Sequence, residues 1–260
     1  MSLDYYAGPL GKYYQRDFET PQQRFGREQG FDIQTVYSGE EPEWLTSENV
    51  NQVIDAFRNE VFNLMGEVAP GISKWNESFP DYMTEQLFHE CQAALLLVTA
   101  YSYRPELTRP KQLPDDVQAD EALSQASEKD YYLGPIAIFE SHLFLPDECD
   151  RIFACADPMG WRVIVTTTSA LRYALEHVKD KVWQNATGPE VWFARGPVPK
   201  GSEMVEQKSI LPWKKSKWVT KETQHDIDDE VMWNAEFAFS VFERLLKFSE
   251  KNNVPIRQDC

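Results

Sequence analysis

The stretch that decides the fold is YMTEQLFHECQAALLLVTAY, residues 82–101. Its apolar residues recur every three or four positions, at Leu87, Cys91, Leu95 and Val98, which predicts one helix over the whole stretch. The second half is apolar on every face, so this helix is expected at the centre of a domain. Polar residues interrupt the apolar run, which is too short to span a bilayer.

The segments on either side predict a mixture of helices and strands. An apolar stripe from Val50 to Met65, capped by Thr46 or Ser47, predicts a long helix that packs antiparallel to helix 82–101. Further helices are predicted at 117–125, 147–156, 168–182 and 231–253. Strands are predicted at 31–37, 136–139, 143–145, 160–166 and 191–194, as a pair around 204–211 and 218–220, and as an edge strand at 254–256. The aromatic opening, residues 5–18, predicts irregular structure or a short turn packed by aromatic rings.

These elements predict an α+β fold, in which a helical N-terminal part packs on a mixed or antiparallel sheet with C-terminal helices. Residues 1–104 form the mainly helical part with an early strand, and residues 131–260 form the α+β part. Between them, residues 105–130 form an acidic, proline-containing connection. We expect one compact unit overall.

Charge is the property that points to function. The chain has 26 Lys+Arg and 42 Asp+Glu, a net charge of −16. Residues 1–130 hold 10 basic and 23 acidic residues, a net −13, whereas residues 131–260 carry only −3. Such a surface disfavours nucleic acid and favours a basic protein partner, although solubility alone also explains it. Acidic residues in predicted loops are the candidate contacts: Glu40, Glu41, Glu43, Asp115 and Asp116.

The sequence lacks the motifs that would indicate secretion, a membrane span, a metal site, nucleophilic catalysis or a nucleotide cofactor. The opening residues have no secretion signal, no segment is a membrane span, and the four cysteines lack paired spacing, which predicts a cytoplasmic protein. The sequence 89–91, HEC, cannot turn three adjacent helical side chains to one metal ion. Neither G-x-S-x-G nor a phosphate loop occurs, so no cofactor is predicted. One basic aromatic patch, residues 213–218, could bind single-stranded nucleic acid, but we favour either pairing with the acidic half or an exposed hairpin.

The acidic first half and the tail from Ala235 to Ile256, an amphipathic helix followed by a short strand, carry one resemblance. The chain resembles stand-alone bacterial proteins of unassigned function, including immunity proteins that neutralise polymorphic toxins. The resemblance implies a non-enzymatic cytoplasmic binding protein that masks a basic toxin. The alternatives are a small-molecule enzyme of hydrolase type, with a site between the two halves, and a structural or regulatory subunit that uses aromatic residues near Trp213 and Trp218.

Overall fold

A computed structural model describes residues 2–33, 43–129, 134–184, 188–199, 201–207, 217–223 and 227–259; residues 2, 127–129, 201–207 and 217–223 are described by their backbone alone. The helices are α1 (Leu10–Tyr14), α2 (Pro21–Gln29), α3 (Val50–Met65), α4 (His89–Ser102), α5 (Glu121–Lys129), α6 (Pro135–Phe139), α7 (Thr168–Val182), α8 (Pro189–Arg195) and α9 (Glu230–Asn252). The strands are β1 (Ser2–Ala7), β2 (Met83–Phe88), β3 (Leu143–Leu145), β4 (Phe153–Ala156), β5 (Arg162–Thr167), β6 (Gly201–Gln207), β7 (Lys217–Thr223) and β8 (Ile256–Asp259).

Six of the strands form one mixed sheet in the order β2-β1-β8-β3-β5-β4. The pair β3–β5 is parallel, and the other neighbours are antiparallel. Together with the helices this sheet confirms the predicted α+β class. Its strands come from both residues 1–104 and residues 131–260, while β6 and β7 form a separate antiparallel pair. No helix in the described part of the chain is long and apolar enough to cross a membrane.

The stretch 82–101 is half strand and half helix, so the prediction of one helix is wrong for its first part. Residues Met83–Phe88 form β2, which pairs antiparallel with β1 so that Glu85 lies opposite Tyr5. The helix α4 begins only at His89. Its second half is buried on all sides, as its composition predicts, with every residue of 94–100 inaccessible to solvent or nearly so.

The sheet separates two hydrophobic cores. Along β1, Tyr5 points into the first core, which α4, α7 and α9 cover, and Tyr6 points into the second core, which α1 and α3 cover. Helix α4 packs mainly against α9. The predicted antiparallel packing of the helix at 50–65 on the helix at 82–101 is therefore wrong, because α3 and α4 lie on opposite faces of the sheet.

Several short elements also differ from prediction. The apolar runs 136–139 and 191–194 are the helices α6 and α8 rather than strands, and the segment 147–156 contains β4 rather than a helix. The aromatic opening includes β1, an interior strand. Strand β8 also lies inside the sheet, between β1 and β3, and not at an edge.

Several other predicted elements are confirmed. Helices α3, α7 and α9, strands β3 and β5, and the pair β6–β7 occur where the sequence pattern places them. Residues 117–125 form a single 3-10 turn and the start of α5. Of the predicted strand 31–37, residues 31–33 have no regular structure and residues 34–37 lie outside the described residues.

Candidate functional site

Exposed carboxylates without a basic partner are concentrated in the first half of the chain. These side chains are exposed and form no ion pair with any described residue. They are Glu28, Asp32, Glu43, Glu48, Glu60, Glu67, Asp81, Asp115, Asp116 and Glu121. In water an unpaired surface carboxylate keeps its charge and contributes to the field outside the protein.

The second half neutralises more of its own acidic residues. Arg172 pairs with Glu148 and Glu250, and Lys247 pairs with Glu190 and Glu243. The exposed carboxylates of this half that form no ion pair with a described residue are fewer, namely Glu140, Glu176, Asp180 and Asp228. Among the described residues, carboxylates without an ion pair are therefore more numerous in the first half than in the second.

The predicted contact residues do not lie together. Glu40 and Glu41 are outside the described residues. Glu43 is exposed on the side of the second core, where the following Leu45 packs, whereas Asp115 and Asp116 are exposed beside Leu113 and Val117, which pack on the first core. Asp116 also accepts a hydrogen bond from the Ala119 N–H and so caps the 3-10 turn. Glu43 and the aspartate pair therefore belong to opposite sides of the sheet.

The layer that covers the second core carries the larger group of unpaired acids, which we call the α3 surface. It consists of Glu43 and Glu48 before α3, Glu60 within it and Glu67 after it. Exposed apolar side chains accompany them: Phe62 is 46% exposed, Leu64 54% and Val68 61%. Of this group the sequence predicts only Glu43 as a contact, because the others lie on or beside a helix whose outer face cannot be assigned to a side of the sheet from local sequence.

A cation and aromatic rings hold the chain next to Glu43 in place. The guanidinium of Arg16 lies 4.1 Å from the ring centroid of Trp44 and 2.6 Å from the Asp259 carboxylate. Arg16 itself has a φ of 57°, in the left-handed region that a residue other than glycine rarely adopts. The Leu45 N–H donates to the carbonyl of Tyr14 at 3.0 Å. These contacts fix the start of the α3 surface against α1.

A buried ion pair between Asp157 and Arg257 lies beneath this surface. The Asp157 carboxylate accepts hydrogen bonds from the Tyr14 hydroxyl at 3.0 Å and from Arg257 at 3.1 Å. Its other oxygen accepts from the N–H groups of Met159 and Trp161, each at 2.9 Å. Because both oxygens are occupied by structural donors, Asp157 closes the turn between β4 and β5 rather than acting as a base.

Among the residues that the structure describes, histidines and cysteines form no reactive arrangement. His142 shares Arg257 with Asp157, but it does so through its backbone carbonyl, which accepts from the guanidinium at 3.1 Å. Burial, and then the charge of Arg257, lowers the pKa of His142. Burial raises the pKa of Cys155 to about 12, so this thiol stays protonated and inert at neutral pH. Within the described ranges, no group of three His, Cys, Asp or Glu residues could hold a metal ion.

A cavity does lie at the junction of the two halves. It encloses about 320 Å³ between β2, α8 and α9, and a neighbouring cavity of about 280 Å³ shares Met83 and Arg244 with it. The lining of the larger cavity is Met83, Pro189, Glu190, Phe193, Glu243, Arg244, Lys247, Phe248 and Lys251. This lining has no histidine, serine or cysteine, so it offers no nucleophile paired with a histidine base.

Comparison with known proteins finds no matching family model, no similar curated protein and no similar solved structure.

Proposed function

We propose that this protein is a non-enzymatic binding protein that recognises a basic protein partner through its acidic surface. The proposal includes a cytoplasmic immunity-type role, in which the partner is a toxin whose basic cleft the acidic surface covers. The observation that carries it is the set of exposed, unpaired carboxylates on the α3 surface, Glu43, Glu48, Glu60 and Glu67.

Physical chemistry supports this use of the surface in two ways. Like charges that no local cation neutralises attract an oppositely charged partner from a distance and speed its encounter. The exposed Phe62, Leu64 and Val68 then supply apolar area, which an interface needs for a lasting complex. Glu40 and Glu41 precede Glu43 in the chain and extend the proposed contact; Asp115 and Asp116 would form a second, separate patch.

Capture of binding partners from native lysate tests the proposal. One variant removes negative charge from the α3 surface, and a control variant removes the same amount of charge elsewhere. The bait is the wild-type chain, beside a variant in which Glu43, Glu48, Glu60 and Glu67 become Gln. The control variant changes the same number of unpaired second-half acids to amides, at Glu140, Glu176, Asp180 and Asp228.

We expect the wild type and the control to retain a basic protein, and salt to weaken that retention. The α3-surface variant should lose it. Equal recovery by both variants, or retention that salt does not change, contradicts the proposal.

The competing proposal, a small-molecule hydrolase, draws on the position of the cavity between β2 and the C-terminal helices α8 and α9. Two carboxylates line it, Glu190 and Glu243, and Glu243 has the less exposed side chain, 19% against 80%. A reaction there would therefore use Glu243 as its base. Turnover of a panel of ester and phosphate substrates that is lost in Glu243→Gln would favour the enzyme.

A further inference from the structure

The larger cavity at the junction combines an apolar floor with a cationic rim. Met83, Phe193 and Phe248 give it carbon surface from three different elements, β2, α8 and α9. Phe193 stacks on Phe237 with ring centroids 6.0 Å apart, and the Arg244 guanidinium lies 3.9 Å from the Phe193 ring centroid. Phe248 packs edge-on against Phe79 at 5.9 Å, so both rings are held in place. A preformed apolar surface of this kind suits the hydrocarbon part of a small ligand.

The rim cations lie along one face of α9. Arg244, Lys247 and Lys251 are three and four residues apart, which brings them to the same side of the helix. Two of them are already paired: Arg244 donates to Glu85 at 2.8 and 3.0 Å, and Lys247 lies 3.0 Å from Glu243. Lys251 is exposed and forms no ion pair with a described residue.

One ion pair on the rim, between Lys247 and Glu190, is easy to exchange. Lys247 also approaches Glu190 at 3.6 Å, but the two side chains are 59% and 80% exposed. An exposed pair of this kind contributes little stability, so an incoming carboxylate can replace Glu190 at small cost. Lys247 and Lys251 would then share one anion while the ligand's hydrocarbon part covers the floor.

We infer that this cavity binds a small apolar monocarboxylate, with its anionic end at Lys247 and Lys251 and its carbon skeleton on Met83, Phe193 and Phe248. This site is separate from the α3 surface and does not depend on the proposed function. The nearby carboxylates Glu190 and Glu243 disfavour a dianion, because a second negative charge would have no free cation beside it.

The test follows the Met83 methyl group by NMR in the full chain labelled with ¹³C-methyl methionine. Met83→Leu, a substitution of similar volume, assigns its signal among the six methionines. The probe is 1-naphthoate, and the neutral 1-naphthalenemethanol is its uncharged counterpart. A ligand of this size is expected to bind with a Kd of about 1 mM.

We expect 1-naphthoate to shift the Met83 signal, and Lys251→Gln to raise its Kd about two- to five-fold. Lys179→Gln, an exposed lysine of α7 away from the cavity, should leave the Kd unchanged. The alcohol should bind the wild type about as weakly as naphthoate binds Lys251→Gln. An unshifted Met83 signal, equal binding of acid and alcohol, or equal Kd values for the two lysine variants overturns the inference.

Discussion

Replacing Asp157 by Asn should destabilise the protein strongly, although it changes the side chain by only one atom. The Asp157 side chain is fully buried and that of Arg257 is 5% exposed, so water can replace neither partner. The Asn amide oxygen can still accept from the N–H groups of Met159 and Trp161, but Arg257 then keeps a buried charge without its anion. Removal of one member of such a pair costs about 3–5 kcal/mol.

Urea unfolding followed by circular dichroism measures this loss, and a melting temperature lowered by roughly 6–20 °C should accompany it. The matched control is Asp150→Asn, whose side chain is 84% exposed and 4.0 Å from Arg151, with an expected change within about 0.5 kcal/mol. The double variant Asp157→Asn with Arg257→Met should lose less than the two single losses combined, because it removes the stranded charge. A loss for Asp157→Asn no larger than that of the control would refute the reasoning.

Two further predictions concern titration and helix capping. Burial and the charge of Arg257 lower the pKa of His142, so the unfolded chain takes up a proton first as the pH falls below about 6.5. Stability should therefore decline from that pH towards the lower, folded pKa. Urea midpoints measured across this range should depend less on pH in His142→Gln than in the wild type, and an unchanged dependence would contradict the prediction. Asp229 caps α9 and pairs with Arg109, so Asp229→Ala should lower the free energy of unfolding by about 1–2 kcal/mol, and a urea midpoint equal to that of the wild type would contradict this role.

The sequence predicts the long elements well because their signals are local. The stripe of α3 and the β-branched run of β5 repeat at the period of their own structure, with no help from distant residues. The prediction for residues 82–88 fails because β2 pairs with β1, whose residues lie about eighty positions earlier in the chain. The apolar spacing of residues 82–88 also fits a helix. Non-local pairing of this kind leaves little trace in the stretch itself.

The two apolar runs wrongly predicted as strands share a sequence signal that favours a helix. The apolar runs of α6 and α8 each follow a Gly-Pro pair, Gly134-Pro135 and Gly188-Pro189, and in both the proline occupies the first helical turn. Proline is favoured there because its fixed φ suits a helix and its missing N–H is not needed. A short apolar run alone does not distinguish the two structures.

The candidate site is predictable only in part. Composition locates the acidity in the first half, and Glu43 is indeed exposed beside α3. The separation of Glu43 from Asp115 and Asp116 depends on which face of the sheet each segment covers, and that is a property of the topology. The cavity between the halves likewise needs β2, α8 and α9 together, so its lining cannot be derived from any one segment.

The central claim is that the unpaired acids of the α3 surface recognise a basic partner, and the association rate constant tests it most directly. Stopped-flow mixing of the captured partner with the wild type, the α3-surface variant and the second-half control is measured over a range of ionic strength. We expect the wild-type and control rate constants to fall by about tenfold or more as salt screens the charges, and the α3-surface variant to start slower with little salt dependence. Identical salt dependence for the two variants, which lose the same charge at different places, would contradict the claim.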